Sequence, residues 1–251
     1  MIRLAVLSDL HVEKGDYRPP TLDCDLVILA GDVGWGLEGV RWIERNLTGR
    51  PMIYVAGNRE YWHHPEGADP LAELRRESAR VPGLTFLHNE TVVRQIGGAR
   101  LRVLGATLWT DFSLDGDAEA TMAQAGGSMP DYRNGRSDLG EILTPADVVA
   151  ANRASAAFLA AELARRHDGP TVVVTHHLPS ELSLPHRRPG HVPQAASVSP
   201  LESLVESAGP DVWIHGHSHA DCDYRIGRCR IVSHQRGAPE NTDFAPLMIE
   251  V

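Results

Sequence analysis

The sequence contains few cysteines and no long apolar run. Its three cysteines are odd in number, and no two have the spacing of a metal-binding knuckle, so reduced thiols in or near the core are favoured over a disulfide framework. The longest apolar stretches have the length of a strand. Charged residues such as Asp147 and Arg153 interrupt the alanine-rich segment near Ala150. These features argue against a membrane span.

Basic residues are also in deficit. The chain has 24 lysines and arginines against 33 acidic residues, which gives a formal net charge of -9. Duplex binding relies on basic patches that neutralise phosphates, and the basic, aromatic tracts that bind single strands are missing as well. Nucleic acid is therefore an unfavoured partner. A small phosphorylated ligand at a locally cationic centre stays compatible with this charge, and the oligomeric state stays open.

The first residues lead directly into a hydrophobic strand. Because Asp9 and His11 follow that strand, no segment is available for removal as a signal peptide. We therefore predict a cytoplasmic protein. Its 251 residues fit a single α/β domain over 1–251.

Hydrophobic patterning predicts an α/β chain that begins with a βαβαβ unit and a largely parallel sheet. Residues 37–47 have helical spacing, and Asp69 should cap a second helix over 70–79. Further helices are predicted over 118–125, from Thr144 to near His167, and over 200–207. The predicted strands are 2–7, 26–30, 52–55, 84–87, 92–96, 101–105, 171–174, 212–214, 224–226, 229–232 and 247–251.

Two segments depart from this pattern. Residues 113–143 are rich in Gly, Asp, Ser and Arg, and we interpret them as a cap-like insertion that could cover a site. Residues 178–198 are a polar stretch with four prolines, predicted to be a loop.

Five polar motifs each follow a predicted strand. They are Asp9-Leu10-His11, Gly31-Asp32, Gly57-Asn58-Arg59-Glu60, His176-His177 and Gly216-His217-Ser218-His219. Ligands of open α/β sheets bind outside the carboxyl ends of strands, so the motifs should meet at one rim. Imidazoles, carboxylates and a side-chain amide suit a pair of divalent ions such as Mn, Fe, Zn or Co. Two such ions polarise a phosphoryl group and lower the pKa of a water molecule, so the set indicates metal-assisted hydrolysis of a phosphate ester.

Each motif taken alone has a simpler explanation. Asp-x-His at a strand end is often a cap or a turn, and Gly-Asp and Gly-Asn are common turns. Gly-His-Ser-His is the most specific of the five, because buried imidazoles need partners. The five motifs in combination favour a metal site.

The five motifs, in this order, resemble those of the calcineurin-like metallophosphoesterase superfamily, and the resemblance spans residues 9–219. It implies a four-layer αββα sandwich, in which two mixed β-sheets pack face to face with helices outside. It also implies a dinuclear centre in which a shared hydroxide attacks phosphorus in line with the leaving oxygen. By the resemblance, one metal is held by Asp9, His11, Asp32 and His219, and the second by Asp32, Asn58, His176 and His217, with Asp32 bridging.

Arg59 departs from the family pattern. The family usually has histidine there, assigned to leaving-group protonation or transition-state stabilisation. Arginine stays charged and cannot act as a general acid near neutrality, but it can hold a phosphoryl oxygen with two donors. We therefore predict that Arg59 is catalytic and binds substrate. His177 is a candidate for the acid role, as are His63 and His64, although a surface turn is the favoured interpretation of that last pair.

Three further segments resemble a group of small bacterial members: 107–112, 131–133 and Arg236-Gly237. Arg133 is a candidate for substrate binding, and its alternative is a solvated surface charge. Trp109 and Phe112 are interpreted as packing residues.

The leading hypothesis is a metal-dependent phosphoesterase that acts on a small phosphomonoester or phosphodiester. A nuclease is a second enzymatic hypothesis, disfavoured by the acidic charge balance. A non-catalytic, metal-binding scaffold on the same fold is an alternative from a different class. It is disfavoured because all seven ligand positions are filled.

Overall fold

Two mixed β-sheets occupy the centre of the molecule in the computed structural model, which describes residues 1–237, 241 and 243–251. The first sheet has the order β11-β1-β2-β3-β4 and the second the order β5-β6-β7-β8-β10-β9. The strands of the first sheet are β1 (Arg3–Leu7), β2 (Leu26–Leu29), β3 (Met52–Tyr54), β4 (Leu84–Phe86) and β11 (Leu247–Glu250). Those of the second are β5 (Glu90–Ile96), β6 (Ala99–Ala106), β7 (Thr171–Thr175), β8 (Val212–His215), β9 (Cys222–Ile226) and β10 (Cys229–Ser233).

The central strands of both sheets are parallel, and antiparallel strands lie at the edges. Strands β1 to β4 run parallel, while β11 pairs antiparallel with β1. In the second sheet β6, β7, β8 and β10 run parallel, while β5 and β9 are antiparallel to their neighbours. Central parallel strands are covered on both faces, which explains their uninterrupted apolar sequences.

Seven α-helices lie within the described residues. They are α1 (Glu38–Leu47), α2 (Pro70–Ser78), α3 (Ala118–Ser128), α4 (Asp131–Asn134), α5 (Pro145–Leu163), α6 (Val192–Ala195) and α7 (Glu202–Ala208). Asp69 caps α2 as predicted, because its side chain accepts a hydrogen bond from the Ala72 backbone at 3.0 Å. None of these helices has the length and apolar character that crossing a membrane requires.

Alternating side chains of the strands face different layers. Leu4 and Val6 of β1 point between the sheets, where they join Val103 and Val172 of the second sheet in one apolar cluster. The outer face of the first sheet packs on α1 and α2 through another cluster, and the outer face of the second packs on α5 and α7. The predicted four-layer αββα sandwich is therefore confirmed.

Some predicted boundaries were wrong. Helix α5 ends at Leu163 instead of near His167, because the Arg165 backbone bonds to the Glu162 carbonyl in a tighter turn. The His167 ring then contacts the Arg100 carbonyl at 2.7 Å as the chain turns toward β7. The helix predicted over 118–125 is present as α3, whereas α4 in segment 113–143 and α6 in segment 178–198 were not predicted.

Candidate metal centre

The five motifs meet at the carboxyl ends of strands from both sheets. Asp9, Asp32 and Asn58 follow β1, β2 and β3 of the first sheet, and His176 and His217 follow β7 and β8 of the second. Each of these five side chains is within 4 Å of another candidate ligand. The structure therefore brings together the residues that the sequence analysis selected.

The backbone is strained at most of these positions. Five of the seven candidate ligands have a left-handed conformation that non-glycine residues rarely adopt, at a cost of roughly 1–3 kcal/mol each. These residues and their φ angles are Asp9 (50°), His11 (47°), Asp32 (51°), His217 (72°) and His219 (51°). Such strain persists only where surrounding contacts impose it, and it concentrates at functional sites.

A first group of ligand atoms surrounds His11. Its Nδ1 contacts Oε1 of Glu13 at 3.1 Å and donates to it, so Nε2 carries the lone pair. That Nε2 lies 3.0 Å from Nε2 of His219 and 3.8 Å from Oδ2 of Asp32. His219 Nε2 is in turn 3.4 Å from Oδ1 of Asp9.

A second group surrounds His176. Its Nδ1 donates to the Ala30 carbonyl at 2.8 Å, which leaves the lone pair on Nε2. Nε2 lies 3.2 Å from Oδ1 of Asn58, 3.2 Å from Nδ1 of His217 and 3.4 Å from Oδ1 of Asp32. The Asn58 oxygen is also 3.1 Å from Nδ1 of His217.

The two groups fit divalent cations. The second group contains three atoms that face one another: the unprotonated Nε2 of His176, Oδ1 of Asn58 and Oδ1 of Asp32. Each of them presents a lone pair, and no hydrogen lies between them. Separations of 3.1–3.4 Å match those between ligands that each lie about 2.0–2.2 Å from one metal ion. Asp32 directs Oδ2 toward the first group and Oδ1 toward the second, so it could be shared by two ions. Residues Asp9, His11 and His219, and residues Asp9, Asp32 and His176, form clusters that could each hold a metal ion.

Two buried carboxylates that the sequence analysis did not select support these ligands. Glu60 accepts hydrogen bonds from the backbones of Asp32, Val33 and Gly57 and from the Tyr54 hydroxyl, at 2.7–2.9 Å. Burial, and then the charge of Asp32, raise the pKa of Glu60 to about 7. By these bonds Glu60 joins the loops that follow β2 and β3.

Asp131 is the second supporting carboxylate. Its Oδ1 accepts a bond from Nδ2 of Asn58 at 2.6 Å and another from the Trp62 indole at 3.2 Å. The Asn58 amide is thereby oriented with its oxygen toward His176 and His217. Asp131 lies in segment 131–133, whose family resemblance the sequence showed, but its contact with Asn58 spans 73 residues and follows from the fold.

The electrostatics of the site act differently on its ligands. Burial opposes protonation of His11 and His176, yet the carboxylates around them raise the pKa of both imidazoles, so a metal ion would compete with a proton there. Burial opposes ionisation of Asp9, yet the hydrogen bond to His219 and the charges of nearby imidazoles hold the pKa of Asp9 well below its ordinary value. Burial, and then the neighbouring His177 and His176, depress the pKa of His217. His217 is therefore neutral and has a lone pair available.

Arg59 contacts both the ligand cluster and open space. Its backbone N–H donates to Oδ1 of Asp32 at 2.8 Å, and its Nε lies 3.7 Å from Oδ2 of the same carboxylate. The guanidinium carbon is 3.8 Å from the centre of the Trp62 ring, a cation–π contact. The side chain is 22% exposed, so Arg59 can reach a substrate.

The candidate acid His177 lies beneath the ligands. It is 1% exposed, its Nδ1 contacts the Thr107 carbonyl at 3.3 Å, and its ring stacks on His217 with centroids 4.2 Å apart. Burial, and then the charge of His176, hold the pKa of His177 well below its ordinary value. The geometry favours a role through His217, and the catalytic assignment of His177 stays a prediction.

The prediction that His63 and His64 form a surface turn is correct for His63 and wrong for His64. His63 is exposed and lies 4.6 Å from the Trp35 ring. His64 is buried, because its ring contacts the Glu60 carbonyl at 2.8 Å and the Glu73 carboxylate at 2.6 Å.

The remaining selected residues lie away from the ligands. Arg133 is exposed, and its guanidinium donates to the Ser128 carbonyl at 2.9 Å. Its predicted role in substrate binding stays untested. Trp109 and Phe112 are buried, which confirms them as packing residues. Arg236 is also buried and donates to the Leu10 carbonyl at 2.9 Å.

A cleft of about 580 Å³ opens beside the ligand cluster. Its inner wall includes Arg59 and His219, and its outer walls are formed by residues 128–131 and by parts of 184–197. The insertion predicted from composition therefore contributes one wall of the cleft.

Comparison with solved structures gives fold-level similarity over nearly the whole chain. A phosphopantetheinyl hydrolase from Mycobacterium tuberculosis is 19% identical, with a TM-score of 0.66 over 97% of this chain and 95% of that one. A putative 5′-nucleotidase from Staphylococcus aureus is 16% identical, with a TM-score of 0.53 over 93% of this chain and 48% of that one. GAP50 of Plasmodium is 12% identical, with a TM-score of 0.51 over 94% of this chain and 72% of that one.

Comparison of sequences gives a family. No curated protein gives a significant match. The family model described as calcineurin-like phosphoesterase matches residues 2–221, which is most of the chain and contains all five motifs. The protein therefore belongs to the calcineurin-like phosphoesterase family.

Proposed function

We propose that this protein hydrolyses small phosphomonoesters or phosphodiesters with the help of two divalent metal ions, Mn, Fe or Zn. The observation that carries the proposal is the arrangement around Asp32, whose two carboxylate oxygens face two separate sets of lone pairs. The membership of a phosphoesterase family supports the reaction class. Two of the similar structures are named as a phosphopantetheinyl hydrolase and a putative 5′-nucleotidase, which supports a small phosphorylated substrate.

The candidate ligands would form two metal sites. When bound, the metal ions would polarise the phosphoryl group and supply a hydroxide nucleophile at neutral pH. Asp9, His11 and His219 would hold one ion, Asn58, His176 and His217 would hold the other, and Asp32 would join them.

Arg59 faces the cleft beside Asp32 and can bind a non-bridging phosphoryl oxygen. It stabilises negative charge but transfers no proton. The leaving oxygen must then depart as an anion or take its proton from water. We therefore expect a preference for esters with acidic leaving groups.

The proposal is tested by reloading metal-free protein with Mn, Zn, Fe, Co or Ni. Metal content is measured by elemental analysis, and turnover is assayed on chromogenic phosphomonoesters, diesters and triesters. We expect two ions per chain, and Asp32→Asn should lose metal and nearly all activity because the shared charge is removed. Asp16→Asn is the matched control, since Asp16 is exposed and forms no contact with the ligands.

Three outcomes would contradict this proposal. Reloaded wild type with one ion or none would exclude the dinuclear centre. Two bound ions without turnover of any ester would instead support the non-catalytic scaffold. Cleavage of oligonucleotides in preference to small esters would favour the nuclease alternative.

A further inference from the structure

Two adjacent arginines in segment 178–198 differ in their contacts. Arg187 is committed to structure, because its guanidinium contacts Asp115 at 2.5 Å and Glu181 at 3.0 Å. Arg188 lines the cleft. Among the described residues, its guanidinium has neither a hydrogen bond nor an ion-pair partner.

His191 lines the same wall and has an unsatisfied nitrogen. Its Nδ1 is buried, and no described residue forms a hydrogen bond with it. A buried polar atom without a partner is destabilising, and a bound ligand group can remove that cost by forming a hydrogen bond with it. His191 thus brings an unsatisfied ring nitrogen to the same cleft that Arg188 lines.

The loop that carries these residues is held in a fixed shape. The Gln194 side chain accepts a bond from the Arg188 backbone at 2.7 Å, and the His191 backbone donates to the Arg188 carbonyl at 3.0 Å. The Gly190 backbone donates to Asp115 at 3.0 Å, which fastens the loop to the next segment. The backbone that carries the two side chains is therefore held before any ligand binds, which lowers the entropic cost of ordering the loop.

The charges along the cleft favour an anion at two places. Arg59 lies beside the ligand cluster, and Arg188 lies on the outer wall. Asp131 is an acidic residue of the lining, but it already accepts bonds from Asn58 and Trp62. Apolar side chains such as Met129 and Leu184 also line the cleft. A ligand with two anionic ends and a less polar middle matches this arrangement.

We propose that Arg188 and His191 form a subsite for a second anionic group of the substrate, a phosphate or a carboxylate. This inference rests on the proposed function for one end of the substrate, because it places the reacting phosphoryl group at the ligand cluster. The substrate class is then a phosphate ester with a second anionic group. That group is on the alcohol released by hydrolysis or on the group that stays bonded to phosphorus. Guanidinium binds either oxyanion through two parallel hydrogen bonds.

The subsite can be tested by binding alone. Titration calorimetry on metal-loaded protein would compare alkylphosphonates with α,ω-alkanediphosphonates of two to eight carbons, none of which is a hydrolysable ester. Phosphonocarboxylates of the same lengths distinguish a carboxylate from a phosphate as the second group. For at least one chain length, the wild type should bind the probe with an anionic group at each end about tenfold more tightly than the monophosphonate of the same length.

Three variants test whether Arg188 causes the preference for probes with two anionic groups. Arg188→Gln should bind the two probe types equally while keeping its affinity for the monophosphonate. Arg188→Lys should keep part of the preference, because the charge remains and the two-donor geometry is lost. Arg187→Lys is the matched control from the neighbouring position, and it should keep the wild-type ratio.

The outcomes separate this inference from the proposed function. A wild type that prefers no doubly anionic probe, or an Arg188→Gln variant that keeps the preference, overturns the subsite. If no ester is turned over but the preference still depends on Arg188, the proposed function fails and the subsite stands.

Discussion

The side-chain amide of Asn58 donates to Oδ1 of Asp131 at 2.6 Å, and the two residues are 73 positions apart in the sequence. The bond fixes the amide so that its oxygen faces His176 and His217. Segment 113–143 therefore supports the ligand cluster in addition to forming one wall of the cleft. Its role as a cap-like insertion that covers the site stays a prediction.

This contact predicts that Asp131→Ala weakens the proposed metal site formed by Asn58, His176 and His217. Loss of a partner that orients a ligand typically costs about 10–100-fold in metal affinity, because the amide can then turn its nitrogen inward. Competition with a chelator of known affinity measures the change. Asp117→Ala in the same segment is the control, since it removes the cap of α3 at Ala120 and should cost about 1 kcal/mol of stability without changing metal affinity. Wild-type metal affinity in Asp131→Ala would refute this role.

A second prediction concerns Arg59 and the leaving group. Arg59→Ala should lower kcat/KM by roughly 10²–10³ on all esters, which is typical of removing one donor to the transition-state charge. Arg59→His should recover activity preferentially on poor leaving groups, because it restores a possible acid. The measurement is log kcat/KM against leaving-group pKa for the three proteins. Full activity in Arg59→Ala, or a shallow wild-type slope that steepens only in Arg59→His, would assign Arg59 differently.

Much of the fold and of the ligand set could be predicted because both depend on local patterns. Strands such as β2 are apolar throughout, since they are covered on both faces, and their ends are marked by polar residues such as Asp32. The carboxyl-end rule places Asp32 at one edge of the first sheet and His176 at one edge of the second, and the face-to-face packing of the two sheets brings them together.

The parts that could not be predicted depend on contacts between distant residues. The burial of His64 depends on Glu73 of α2, and the orientation of Asn58 depends on Asp131. The free guanidinium of Arg188 and the paired one of Arg187 have identical chemistry in the sequence. The positions of Asp115 and Glu181 in the fold separate them.

A third prediction concerns Glu60 at pH 8, where its carboxylate is largely ionised because its pKa is about 7. Its four bonds all come from donors, including the backbones of Asp32 and Gly57. Glu60→Gln places an amide N–H₂ against an N–H or O–H donor, so we expect a loss of roughly 1–3 kcal/mol in unfolding free energy. Tyr54→Phe removes one of the four bonds and should cost about 1 kcal/mol. Urea unfolding of the metal-free proteins tests the order, and equal stability of Glu60→Gln and wild type would show that these bonds do not hold the loops.

The fourth prediction concerns pH and stability at a position remote from the ligand cluster. Burial, and then the charge of Arg75, lower the pKa of His88 from 6.5 to about 4. The unfolded chain therefore takes up the proton first, so the stabilisation is present above pH 6.5 and is lost as the pH falls toward 4. The free energy of unfolding of wild type minus that of His88→Gln should fall by about 2 kcal/mol between pH 7.5 and pH 5. Urea titrations of both metal-free proteins across this range measure the difference, in which groups common to the two chains cancel. Parallel stability profiles would mean that His88 titrates alike in the folded and unfolded chains.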